Sequence, residues 1–235
     1  DFLGTGVNNT ANNRQFARTR KLSETKKEMS RLYSFESILS LTGANADYRA
    51  PIKPSEQGLY VANLYNLIAK GTGGETIQVA AIDNDYLNKA AHDLLNSKGA
   101  SIVISGSNDA NIQLLINAIN VLLENYSSTI DIVNHQNLRA GDDKLFASFV
   151  TGLSRASGVI FYNCNPIYDH PLGTQIAEAM KQLTFTISTS DRNDETSALV
   201  SIKAPDHHYL ESWNDFEAVN GKFSLCQPAI SKIFD

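Results

Sequence analysis

Apolar residues recur along this chain in two rhythms, short continuous runs that suit strands and three-and-four spacings that suit helix faces. Leu32 to Ile38 reads as a short strand. Pro54-Ser55-Glu56 then opens a stretch whose apolar positions, Leu59, Val61, Leu64, Tyr65 and Ile68, share a helical face that stops at Gly71. Asp83 is placed to cap a helix through Leu87, Ala90, Ala91, Leu94 and Leu95, ending near Gly99, and the run Ser101 to Ser105 predicts a strand directly after it. The unit repeats. Gly106 to Asp109 turns into a helix carrying Ile112, Leu115, Ile116, Ile119, Leu122 and Leu123, and Thr129 to Val133 supplies the next strand.

A helix centred on Leu145, Phe146, Phe149 and Val150 leads to Gly158 to Tyr162, a continuously apolar strand of the kind buried on both faces of a parallel sheet. After Asn163-Cys164-Asn165-Pro166 come a helix from about Thr174 to Leu183 and a strand from Thr184 to Ser188. The rhythm then weakens: Ser190 to Thr196 is polar, Leu199 to Lys203 is strand-like, Pro205 breaks it, and Phe223 to Leu225 makes a short last strand. Strands alternating with helices predict an α/β fold of mostly parallel sheet covered by helices. The boundary between two lobes is expected near Ser154, giving lobes 1–153 and 154–235.

Composition narrows the class without naming a partner. Apolar residues make up 42% and charged residues 19% of 235, a globular balance that excludes collagen, coiled coil and disorder. The net charge of −5 argues against nucleic acid as a partner. The basic run Arg14, Arg18, Arg20, Lys21, Lys26, Lys27 and Arg31 reads as a solvated helical face. No stretch approaches the roughly 18 apolar residues that span a bilayer, so no direct membrane insertion is expected and the segment is expected to be soluble. It starts at Asp1 with no Met and no signal peptide, as a segment cut from a longer precursor would. Cys164 and Cys226 form no C-x-x-C and are expected to be buried free thiols, with a disulfide between them as the alternative.

Most catalytic templates lack their first residue. There is no G-x-S-x-G, no H-E-x-x-H and no Gly-Lys-Ser phosphate loop, and Gly71 to Gly74 follows a helix where a dinucleotide fingerprint would follow a strand. His207, His208 and Glu211 could ligate a metal only if helical, and Pro205 opposes that; Asp83-Asn84-Asp85 lacks the later Gly and Glu of a calcium loop. No catalytic residue and no metal ligand is therefore assigned. The three turns Ser105 to Asn108, Asn163 to Pro166 and Ser188 to Asp191 lie at strand ends, where open parallel sheets bind ligands, although turn geometry alone explains their Gly, Asn and Ser.

Taken in order, these segments resemble the molybdopterin oxidoreductase superfamily over most of the chain. The carrying stretches are Leu32 to Pro54 with Ala46-Asp47 and Ile52-Lys53-Pro54, Ile102 to Asn125, Val159 to Pro166, Asp194-Glu195-Thr196 to Pro205, and Glu211 with Asn220 and Gly221. The resemblance implies two Rossmann-like three-layer lobes like that family's central domains. It also implies a guanine-nucleotide pocket, whose gripping motifs are replaced here by Glu36-Ser37-Ile38 and Pro54-Ser55-Glu56-Gln57, with Gln57 a neutral stand-in for the family's carboxylate. The pocket reads as vestigial, its candidates being Glu36, Gln57, Gly106, Asn163, Asn165, Glu195 and Thr196.

A narrower resemblance follows from Thr42 to Arg49, Lys53 to Gln57 and His208-Tyr209-Leu210-Glu211-Ser212-Trp213, which look like the large periplasmic subunit of bacterial alternative complex III. That subunit fuses a molybdenum-free part to an iron–sulfur module in a complex that oxidises quinol. The resemblance implies a scaffold segment that is not catalytic by itself, holds no cofactor, and lies at the periplasmic face of a bacterial inner membrane. It implies iron–sulfur clusters in a C-terminal module beyond these residues, since two cysteines cannot hold a four-cysteine cluster. Its partners would be that module and other subunits of a membrane-associated respiratory complex, met through Tyr48, Arg49, His208, Tyr209, Glu211 and Trp213. The alternative is a catalytic molybdenum oxidoreductase fragment whose strand-end turns bind molybdopterin guanine dinucleotide. A NAD-binding Rossmann enzyme fits less well, because no G-x-G-x-x-G joins strand to helix.

Overall fold

The computed structural model describes residues 1–126, 128–137 and 141–234, and the chain divides by contact into two units, Asp1–Val133 and Asn134–Asp235. The class is mixed α/β with small parallel sheets. In the first unit, α1 (Asn9–Arg20) buries no residue and Arg14 and Arg18 are solvated as expected, while Arg20 is half-buried on the Asp47 carboxylate and Lys21 onward leaves the helix. β1 (Tyr33–Glu36), α2 (Leu41–Ala44) and β2 (Tyr48–Pro51) form a compact crossover, with the two strands parallel and Ser34 opposite Arg49. The Ser40 hydroxyl accepts the Gly43 N–H and starts α2.

Three longer helices build the first core. α3 (Gln57–Thr72) follows a 3-10 turn over Pro54–Glu56 and ends on Gly73, whose φ of 75° suits a residue without Cβ. α4 (Asp85–Leu95) is capped by Asn84 rather than Asp83, because the Asn84 side chain accepts the Leu87 N–H three residues on. α5 (Ala110–Leu122) is capped by Asp109. Leu64, Ile68, Leu87, Ala91, Ile119 and Leu123 close against one another, with Phe35 and Val103 packed on them. The runs Ser101 to Ser105 and Thr129 to Val133, expected as strands, join no ladder beyond one bridge between Tyr126 and Ile130. Helix amides take the place of neighbouring strands here. Asn120 of α5 binds both backbone groups of Val103, and Asn63 and Asn66 of α3 bind Ile77, Ala80 and Ile82 in the same way.

In the second unit α6 (Asp143–Gly152) packs with the elements that follow it, although the expected boundary near Ser154 would group it with the preceding lobe. Its Val150 meets Leu153, Phe161, Ile176 and Met180 in a second core. β3 (Gly158–Phe161), α7 (Pro166–Asp169), α8 (Gly173–Met180), β4 (Phe185–Ser188) and β5 (Ile202–Lys203) give a parallel sheet ordered β3-β4-β5. β3 is covered on one face only: Phe161 is buried while Ile160 is 62% exposed, so the expected double burial does not hold. Its run of β-branched and aromatic residues reflects strand propensity as much as burial. β6 (Asn214–Val219) and β7 (Lys222–Cys226) form an antiparallel hairpin turned at Gly221, so the expected last strand has a partner the sequence reading missed. Cys164 and Cys226 are both free and both exposed, correcting the expectation of buried thiols and the alternative of a disulfide. Cys164 lies in the exposed loop that follows β3, and Cys226 closes an exposed hairpin. No helix among the described residues is long and apolar enough to cross a membrane.

Candidate functional site

Parallel strands deliver their carboxyl ends, and the loops after them, to one side of a sheet, so each unit offers one strand-end site. In the first unit that site is built on Glu36, the last residue of β1. Its carboxylate takes the Arg49 Nε–H at 2.6 Å, the Ser40 hydroxyl at 2.6 Å and the Ser40 amide at 3.3 Å. Arg49 reaches it because the parallel register sets Ser34 opposite Arg49 and puts Glu36 two residues further along the same face. Gly43 roofs the pair: a Cβ there would lie 1.8 Å from Glu36 Oε1. Burial works against the charged form of Glu36, and the Ser40 and Arg49 bonds outweigh it, holding the carboxyl below its ordinary range.

This geometry decides what Glu36 can recognise. A carboxylate that grips guanine accepts from the base's N1–H and N2–H₂ edge, so its oxygens must be free of other strong donors. Both oxygens of Glu36 are engaged, and its side chain is only 15% exposed. Recruiting it to a base would leave a half-buried Arg49 without its counter-charge. The residues present do not fit a pterin guanine dinucleotide at this position. Gln57 opens α3 half-buried, and its side chain makes no hydrogen bond among the described residues. Gly106 is exposed, and a Cβ built on it meets no atom within 4 Å. Nothing in this structure therefore requires glycine at 106.

In the second unit the structure brings together Asn165, Glu195 and Thr196, residues thirty positions apart in sequence. Asn165 Oδ1 accepts the Thr196 N–H at 3.1 Å and the Thr196 hydroxyl at 2.7 Å, and its Nδ2 donates to Glu195 at 2.8 Å. Thr196 is fully buried, and its hydroxyl oxygen also accepts the Ile167 N–H at 3.2 Å. Asn163 sits beside this clamp with a left-handed φ of 50°, a conformation Asn tolerates, and gives its N–H to Thr189 Oγ1. The loop after β4 is stitched by Asp194, which accepts from the Ser190 hydroxyl and the Ser197 amide. Burial opposes the Asp194 charge, but those two donors prevail and its pKa is lowered.

The chemistry of this second site is acidic. Cys164 lies in its loop, and burial first, then the Asp194 and Asp169 carboxylates, push the thiol's pKa up and leave it a poor nucleophile. The same carboxylates oppose a phosphate. Among the described residues no group of three or more His, Cys, Asp or Glu side chains could hold a metal ion. His207 Nδ1 does approach Glu211 at 3.7 Å, and Glu211 is buried.

The interface candidates separate by environment. Tyr48 stacks on Tyr33 with centroids 4.8 Å apart and carries Lys89 over its ring, and Arg49 is committed to Glu36. His208 tilts against Tyr209, and Tyr209 and Trp213 are exposed, while Glu211 points inward. Sequence reasoning missed the Tyr33 hydroxyl on Asp93 at 2.5 Å, with Arg31 on the same carboxylate, and it missed the backbone-binding amides of Asn63, Asn66 and Asn120. Asn120 was detectable as a polar residue inside the apolar stripe of Ile116, Ile119 and Leu123. No protein-family model matches this sequence, and no curated protein matches it.

Proposed function

We propose that this chain is a cofactor-free scaffold of molybdopterin-oxidoreductase type, two Rossmann-like lobes serving a respiratory complex of the alternative complex III kind that oxidises quinol at the periplasmic face of a bacterial inner membrane. The motif strings at Thr42 to Arg49, Lys53 to Gln57 and His208 to Trp213 support the reading by resemblance. The observation that carries it is the closed Glu36 site. At Glu36, which stands in the first of the two replaced nucleotide-gripping motifs, Arg49 and Ser40 already saturate the carboxylate and Gly43 packs on it. Loss of ligand chemistry with retention of folding chemistry is what a scaffold needs. In this role the exposed Tyr209 and Trp213 would meet the iron–sulfur module or a neighbouring subunit, since aromatic side chains anchor interfaces.

The test is metal, pterin and subunit analysis of the intact protein purified from its native membranes. Iron without molybdenum or pterin, in a preparation that oxidises quinol, is the expected result. Stoichiometric molybdenum and pterin would sink the reading in favour of a catalytic molybdenum oxidoreductase. Calorimetric titration of the purified chain with pterin guanine dinucleotide gives a second measure, with no heat of binding expected in the micromolar range.

A further inference from the structure

The segment Ser101 to Ser105 has one satisfied edge and one open edge. Val103 donates its N–H to Asn120 Oδ1 at 3.0 Å and accepts Asn120 Nδ2 on its carbonyl at 2.7 Å. The carbonyls of Ser101 and Ser105 accept the Thr129 hydroxyl at 2.5 Å and Gln113 Nε2 at 3.1 Å. The residues between them differ. Among the described residues, Ile102 and Ile104 make no hydrogen bond through either backbone group, and their side chains are 46% and 49% exposed. Bonding and burial both alternate with a period of two, the signature of a strand whose even-numbered residues face an empty neighbouring position.

A second strand presents donors and acceptors at the spacing that meets both residues at once, whereas a side-chain amide of the Asn120 kind serves one residue at a time. The edge also lacks every usual guard against such pairing. Between Lys98 and Asp109 there is no charged residue and no proline, whereas free edges in native proteins carry Lys, Pro or bulges.

We infer that this edge pairs with the same edge of a second copy of the chain, antiparallel, about a two-fold axis beside Val103. In that register Ile102 faces Ile104 of the second copy, and the two exchange N–H and C=O, which closes all the open groups. Val103 faces its own counterpart in the non-hydrogen-bonded class of position, which asks for no ladder bond from a residue already served by Asn120. A slip by one residue would turn the committed groups of Val103 and Ser105 toward the partner and is excluded. A parallel arrangement of two copies cannot close under a two-fold axis. The isoleucines of both copies fall on one face and cover each other, and no charge on either strand opposes the approach.

Sedimentation of the full chain over a concentration series reads the association. A reversible dimer is expected, and Ile104→Pro should weaken it by about 10-fold or more, because it removes an edge donor and leaves every Asn120 bond in place. Ile104→Lys should weaken it similarly with the backbone unchanged. Register is read by oxidative cross-linking with Cys164 and Cys226 replaced by Ser. An equimolar mixture of Ile102→Cys and Ile104→Cys chains should form a covalent dimer, since facing residues of that class lie about 5.5 Å apart at Cα, within disulfide reach. Either chain alone should not. A monomer throughout the series overturns the inference, as does a dimer indifferent to both substitutions, or cross-linking of Ile102→Cys chains alone. Should the proline variant fail to fold, the lysine variant and the cross-link decide. Protection of the Ile102 and Ile104 amides only when a different protein is added would also overturn it and assign the edge elsewhere.

Discussion

The clamp on Glu36 in the first unit and the clamp on Asn165 in the second hold the same kind of place, the carboxyl end of a parallel strand, with different chemistry. Glu36 is an acceptor only, so it needs donors brought to it, and it takes them from Arg49 on the adjacent strand and Ser40 in the crossover. Asn165 donates and accepts at once, and it joins two loops without any cation. A charged clamp gains strength from a charge-assisted bond but bears a desolvation cost and answers to pH. A clamp centred on a neutral amide carries no charge of its own into the interior, and its one charge-assisted bond runs to the exposed carboxylate of Glu195. The comparison teaches where each unit is vulnerable: the first to loss of charge balance or of the space over Glu36, the second to loss of one multivalent side chain.

The largest effect should come from the neutral clamp. Asn165→Leu removes the acceptor of two Thr196 bonds and the donor to Glu195, and leaves the fully buried Thr196 amide unpaired. A loss of roughly 3 kcal/mol follows if each lost bond costs about 1 kcal/mol. Chemical denaturation should show it, and hydrogen exchange should localise it to Thr196 and Ile167. An unchanged denaturation midpoint would mean that water replaces the amide freely and that the clamp is not structural.

Gly43→Ala comes next. The added methyl collides with the Glu36 carboxylate, the movable end of a side chain, so the backbone can stay while Glu36 swings off Arg49 and Ser40. About 1–2 kcal/mol should be lost with those charge-assisted bonds. The informative control is Gly43→Ala combined with Glu36→Gln. If the clash acts through the ion pair, the two losses are far from additive; if they simply sum, Gly43 matters for another reason.

A smaller effect separates the clamps by pH. Glu36 has a folded pKa below its unfolded value, so it adds stability that is fully present above the unfolded pKa, about 4.3, and lost as pH falls through the folded one. Asp47, Asp93 and Asp194 are lowered too and contribute acid sensitivity of the same sign. The measurement is therefore the difference between parent and Glu36→Gln. The variant should lose part of the acid limb of stability below about pH 4.3, whereas Asn165→Leu should shift the whole curve down without changing that limb. Equal acid limbs in parent and Glu36→Gln would remove the electrostatic half of the comparison.

What could be read in advance, and what could not, follows the range of the interactions. The strand at Leu32, the helix starting after Pro54 and the stop near Gly71 rest on local rules, and β1 and α3 lie where those rules put them. Turn composition and resemblance single out Asn165, Glu195 and Thr196, and the three meet. The Glu36 to Arg49 pair was out of reach because it depends on strand register, which no local pattern states. Ser101 to Ser105 shows the converse failure. Its composition is that of a strand, but Asn120 supplies from a helix the hydrogen bonds expected from a neighbour, so propensity was right and pairing wrong. At Asn220-Gly221 the two-residue hairpin signal is local and legible in the sequence, and it marks the turn that joins β6 to β7.

The smallest effect tests whether the second site is as acidic as its neutral clamp leaves it free to be. Burial, Asp194 and Asp169 together raise the Cys164 pKa, so at neutral pH its thiolate fraction is below that of an ordinary exposed thiol. Asp194 is tied to Ser190 and Ser197 and cannot be changed without disturbing the loop. Asp169 is exposed and its side chain holds nothing, so Asp169→Asn removes a charge with little else. Alkylation of Cys164 by iodoacetamide at neutral pH should then quicken by no more than about threefold, the size expected for one partly screened charge, with Cys226 as the internal reference. The increase should shrink in high salt. A rate that does not move at low salt would mean that the carboxylates around this loop are screened from one another, and the argument that they turn away a phosphate would lose its footing.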